Sequence, residues 1–244
     1  MSIIGKILGG AAGFAIGGPI AALVGVLAGH AVDSMLKPGA DAPAGPGDGT
    51  RQIAFTIGVI ALGAKMAKAD GVVTRAEINA FREIFHVPPE ESANVARFFD
   101  LAKKDARGFE PYARQIAGLF PDNPEVLEKV LEGLLHIARA DGQVRQEELA
   151  YLHRVAAIFG LDESRFARAQ AAAGERIDPY VVLGVGRDAD DATIKAAWRR
   201  LVRENHPDRM IAQGMPEEAI DLATNEVAAI NAAYDEISRE RGFR

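Results

Sequence analysis

The chain has 244 residues, 48% of them hydrophobic and 25% charged, with a formal net charge of −6. That is enough apolar material for one large or two small domains with appendages, and few aromatics (7%) with many small residues favour helix packing over an aromatic-rich β-sandwich. The absence of cysteine excludes disulfides, thiolate nucleophiles and cysteine-built zinc sites, and the acidic balance argues against a generic nucleic-acid partner.

Ile7 to Gly29 carries no charged side chain over 23 residues. As a helix it would measure about 34 Å, enough to cross a hydrocarbon core of about 30 Å. Gly5, Gly9, Gly13 and Gly17, then Ala21, Gly25 and Gly29, fall every fourth residue. Such a stripe lets two backbones approach closely in lipid, so residues 1–36 are expected to be a membrane anchor helix with a homodimer seam. A glycine-rich tail, a cleaved signal peptide and a hairpin insertion pivoting at Pro19 are the competing readings of this segment. Lys6 and the amino terminus on one side roughly balance Lys37 and Arg51 on the other, so charge does not orient the segment. Residues 37–50, "KPGADAPAGPGDGT", cannot build a core and are expected to be a flexible tether.

Residues 51–174 read as an all-α bundle. "IAFTIGVIALGAKMAK" is apolar on nearly every side, as in a central helix. "VARFFDLAKK", "YARQIAGLF", "VLEKVLEGLLHIARA", "ELAYLHRVAAIF" and "SRFARAQAAA" repeat at helical spacing. "AKADGVVTRAEI" also lines up with "ARADGQVRQEEL", so that Asp70 falls on Asp141, Gly71 on Gly142, Val73 on Val144 and Glu77 on Glu148. Asp-Gly predicts a tight turn after a helix, since glycine tolerates positive φ. Thr74 and Glu77 would form a capping box for the next helix, an explanation that Arg145 does not share. The doubled Ala-x-Ala-Asp-Gly-x-Val run resembles the TerB-like helical domains. That resemblance implies Asp70, Glu77, Asp141 and Glu148 as possible divalent-metal ligands, although the alternating ligands of an EF-hand are missing and turns and caps explain these acids more simply.

Residues 175–244 change character. Tyr180 to Leu183 predicts a short apolar helix, followed by a Gly/Asp loop and a strong helix whose apolar face is Ile194, Ala197, Trp198 and Leu201. Lys195, Arg199 and Arg203 recur on another face, with Arg200 flanking. Thr193 to Asn205 holds four basic residues against one acid, in a segment that from Asp178 on has nine basic and thirteen acidic residues. Pro207 pushes His206 out of the helix and stiffens the turn, presenting His206 and Asp208 on a short rigid loop. A second long helix is expected to face inward with Ala219, Leu222, Ala223, Val227, Ile230, Ala233, Tyr234 and Ile237. Gly184, Gly186 and Ala189 satisfy a dinucleotide fingerprint, but no βαβ unit surrounds them. Five serines and five histidines offer no triad spacing, and His136 and His153 sit among helical apolar residues, so the chain does not read as an enzyme.

"DPYVVLGV", "IKAAWRRLVREN", His206-Pro207-Asp208 and "INAAYDEI", in that order, resemble a J domain. The resemblance implies that a DnaK-type chaperone is the partner. Its acidic surface would meet Lys195, Arg199, Arg200, Arg203 and Arg209, and its ATPase would be triggered by His206, Pro207 and Asp208. Glu204 and Asn205 stand where the family usually has Lys-Tyr, Arg209 where it has Lys, and there is no Gly/Phe-rich or Cys-rich region. From end to end the chain resembles the membrane-anchored DjlA-type co-chaperones. This implies a single pass through the bacterial inner membrane, contact with lipid, and a J domain in the cytoplasm. A metal-responsive TerB-like sensor with the J domain as its output is the alternative reading.

Overall fold

The computed structural model describes residues 55–56, 58–66, 75–84, 108–142 and 144–243. The glycine stripe, the tether and Asp70 lie outside these residues. Those described are helical, with no strand among them, as the periodicity requires. After the helical residues at 55–56 and 58–66 come α1 (Arg75–Ile84), α2 (Glu110–Leu119), α3 (Pro124–Ala138), α4 (Gln146–Phe159) and α5 (Glu163–Ala172). Then follow α6 (Pro179–Leu183), α7 (Asp191–Glu204), α8 (Pro207–Ala212) and α9 (Glu217–Arg241).

The first group of helices closes around Phe55, Leu62, Met66, Tyr112, Ile116, Val130, Leu134, Leu152 and Phe166, all buried. The 55–66 segment is the central helix its composition predicts. Tyr151 of α4 donates to its Leu62 carbonyl at 2.8 Å, and Gly58 passes so close to α2 that an added Cβ would stand 2.8 Å from Ile116 Cδ1. The second Asp-Gly turn has the expected form, with Gly142 at φ +98°. Arg145 does not stop α4 from being capped: its own backbone N–H donates to Glu148 Oε2 at 2.8 Å, which is the carboxylate half of a capping box.

α6 to α9 form a second core of Tyr180, Val182, Leu183, Ile194, Leu201, Ile230, Ala233, Tyr234 and Ile237. α7 and α9 run antiparallel. Arg241 at the end of α9 reaches Asp191 at the start of α7 (3.4 Å), and mid-helix Trp198 stacks on Tyr234 with centroids 4.3 Å apart. Trp198 Nε1 also donates to Asn231 Oδ1 at 2.8 Å. Asp190 caps α7 by accepting from Thr193 N at 2.7 Å, and hydrogen bonding from the Thr193 side chain, with this backbone bond second, holds its carboxyl below the usual range. The Gly/Asp loop between α6 and α7 is a structural clasp: Arg241 donates to the carbonyls of Arg187 and Ala189. With a helix on both sides, the Gly184, Gly186, Ala189 run is no dinucleotide turn. On α9 the expected inward face is buried except for Val227, which is half-buried.

The two cores are joined. Met210 of α8, Met215, and Ala219, Leu222 and Ala223 of α9 are buried in the first core, not the second. Beside them six charged groups meet at the seam between α3, α5 and α9. Glu128 accepts from Arg165 at 2.7 Å and from Arg168 at 3.1 Å; Arg168 also lies 3.3 Å from Glu226; Lys129 pairs with Glu132 at 3.1 Å and with Glu226. Glu128, Lys129, Glu132 and Glu226 are wholly buried. Three acids face three bases there, so the charges of the seam are compensated.

Burial raises the Glu132 carboxyl from 4.5 to about 7, against the pull of Lys129. The folded chain therefore holds a proton that the unfolded chain releases between those values. Stability from this group is full below about pH 4.5 and is lost as the pH rises through about 7. Glu132→Gln should flatten that decline, measured as the urea midpoint at pH 5 and pH 8.

Candidate functional site

α7 ends where the sequence says it must. Asn205 closes the helix with its N–H to Leu201 O at 2.9 Å, and its buried side chain donates to the same carbonyl at 3.0 Å. His206 then turns extended, at φ −62° and ψ 134°, as a residue before proline does. The chain does not remain a loop, however. Pro207 is the first residue of α8, where its missing N–H costs nothing and its fixed φ suits the helix. His206 is the N-cap: its Nδ1 accepts from the Asp208 N–H at 3.2 Å, and the Asp208 carboxylate stands 3.5 Å from the same nitrogen. The side chains are open to solvent, His206 by 48% and Asp208 by 81%. The imidazole and the carboxylate thus project from the joint of two helices.

The basic face leads to this corner. Arg199 and Arg203 are exposed, Lys195 is half-buried, and Arg200 is exposed but tied to Glu204 at 2.8 Å, an i,i+4 pair. A pair so open to water adds little to stability. The substitution of Glu204 for a base therefore offsets one of the four positive charges. Arg209 behaves differently from the others. It turns to the bundle and donates to Glu125 Oε1 at 3.1 Å, and Gln213 donates to the same oxygen at 3.0 Å.

The proposed metal ligands are not brought together among the described residues, where no group of three or more acids and histidines could hold an ion. Asp141 accepts from Arg145 Nη2 at 2.9 Å and Glu148 caps α4, while Glu77 lies on α1 with its side chain outside the description. His153 stacks on Phe166 with centroids 4.1 Å apart, as a packing residue.

Glu125 and Gln213 went unmarked in the sequence. The signal for Glu125 was only that of a helix start, Pro-Glu, and nothing local links it to a residue 84 positions away.

A helical hairpin with an exposed His-Pro-Asp corner, seated on a TerB-type bundle, defines a J-domain protein. Family models agree along the whole chain: "Co-chaperone DjlA transmembrane domain" matches residues 1–51, "Tellurite resistance protein TerB" 56–171 and "DnaJ domain" 178–242. The co-chaperone protein DjlA of Photobacterium profundum is 30% identical over 98% of this chain and 99% of its own length. The DjlA of Aliivibrio fischeri is 31% identical over the whole of both chains, and that of Coxiella burnetii 29% over the same extent. No solved structure matches significantly. The chain belongs to the DjlA co-chaperone family, and its N-terminal segment is of that family's membrane-anchoring type. No helix among the described residues is long and apolar enough to cross a membrane.

Proposed function

We propose that the protein binds a DnaK-type chaperone and stimulates its ATPase through His206, Pro207 and Asp208, from a single-pass anchor in the bacterial inner membrane with the J domain in the cytoplasm. The observation that carries this reading is the exposure of His206 and Asp208 on a proline-stiffened joint at the end of a basic helix. The chain supplies no hydrolytic chemistry of its own. It supplies a contact that is stronger in one state of its partner than in the other, which is enough to shift that partner toward hydrolysis. Lys195, Arg199, Arg200 and Arg203 act by attraction to an acidic surface, a contribution to encounter and orientation. The glycine stripe from Gly5 to Gly29 pairs two copies in the lipid. Asp141 and Glu148 serve as turn and cap residues.

Steady-state ATP hydrolysis by DnaK, with the full chain in detergent micelles, tests the proposal. Stimulation should saturate, and Arg199→Glu with Arg203→Glu should raise the half-maximal concentration by about tenfold, with a weaker dependence on added salt. No stimulation by the native chain would defeat it.

A further inference from the structure

We propose that Glu125, on the helical bundle, is a positioning residue for the His-Pro-Asp corner, so that the bundle sets the angle at which His206 and Asp208 are presented. This rests on reading that corner as the chaperone contact. α8 has six residues, too few to be a stable helix unaided. Its attachment to α7 is a joint at His206, and its direction must come from what it packs against. Met210 and Met215 are buried in the bundle core and α8 also packs on α9, but apolar contact is non-directional and sets the roll of the helix less sharply than a polar bond does.

Glu125 adds the directional contact. Arg209 and Gln213, four residues apart and so on one face, converge on a single oxygen of its carboxylate, at 3.1 and 3.0 Å. Glu125 is itself fixed. It follows Pro124 in the first turn of α3, where the helix end favours a negative charge, and its side chain is 9% exposed. A charge-assisted bond from Arg209 and an amide bond from Gln213 therefore aim α8, and Asp208, adjacent to Arg209, faces solvent as a consequence. On this account the base after His-Pro-Asp is engaged by the bundle and need not meet the chaperone.

The opposite sign is conceivable in chemistry: an acid that occupies Arg209 would compete with a chaperone for it. The test separates the two. The full chain in detergent micelles is titrated into DnaK, and its amide exchange is measured separately. Glu125→Ala should lower maximal stimulation by about fivefold while the half-maximal concentration moves less than about twofold, because the basic face of α7 is untouched. Glu125→Gln keeps an acceptor oxygen and should retain most of the stimulation. Arg209, half exposed, can turn to water when the carboxylate is lost, so Glu125→Ala should fold. Amides of Met210 to Met215 should exchange about tenfold faster in Glu125→Ala, with those of α7 unchanged. Increased stimulation would establish competition and overturn the proposal, as would unchanged exchange, or faster exchange with full stimulation. His206→Gln in the same assay guards the underlying reading. If that variant stimulates normally, the chaperone contact is refuted and the exchange result alone decides whether Glu125 holds α8.

Discussion

His206→Gln should abolish stimulation of DnaK while leaving the helical signal and the unfolding midpoint of the chain nearly unchanged. The ring is half in water and lines no core, so its removal leaves no cavity. Its side chain accepts the Asp208 N–H as a cap and lies near the exposed Asp208 carboxylate, and losing a cap costs about 1 kcal/mol at most sites. Glutamine can replace part of that acceptor. What it cannot replace is a flat ring held by an extended residue before proline, with Asp208 3.5 Å away. The effect should therefore fall on the partner's turnover and not on this fold. Circular dichroism and a urea curve establish the second half of the prediction, and ATP hydrolysis by DnaK the first. Equal stimulation by both chains would remove the corner from the mechanism.

What the sequence discloses and what it conceals differ in range. Pro207 acts on His206 through sterics between neighbours, so the turn could be read directly, and Gly142 likewise announces its own φ. Even so, the expected loop at His206 to Asp208 opens a helix from Pro207 to Ala212, which at six residues has too little length for a periodic signal. The seam was hidden for another reason. In "VLEKVLEGLLHIARA" the glutamates and the lysine look like a solvated stripe, yet Glu128, Lys129 and Glu132 are buried along with the apolar positions. A charge is buried only when a partner meets it, and the partners of Glu128 and Lys129 on α5 and α9 lie 37 to 97 positions away. One-dimensional spacing carries no trace of such a pairing. The same holds for Glu125 and Arg209.

The seam has a further consequence for how the molecule holds together. The start of α9 contributes Ala219, Leu222 and Ala223 to the bundle core, while its later turns serve the hairpin core. One helix thus belongs to two cores. Loss of either should be felt by the other, which makes the charged seam between them the place where a single substitution has the largest structural effect.

Lys129→Met should destabilise the chain by about 3–5 kcal/mol, the cost of leaving a buried charge without its partner. Lys129 lies between Glu132 and Glu226, and all three are wholly buried. With the ammonium gone, Glu132 can take up a proton, being poised near pH 7 already. Glu226 loses its Lys129 partner and keeps only Arg168, at 3.3 Å and shared with Glu128, so a buried carboxylate is left under-paired. Trp198 is the one tryptophan, and it lies in the hairpin, so its fluorescence follows that core while circular dichroism follows all the helices. The two urea transitions should coincide in the native chain and move down together in the variant. Lys129→Met combined with Glu226→Leu should recover most of the loss, since an apolar pair replaces an ion pair at little net cost. If the double variant were as unstable as the single one, then packing at the seam, and not charge compensation, would be what Lys129 supplies.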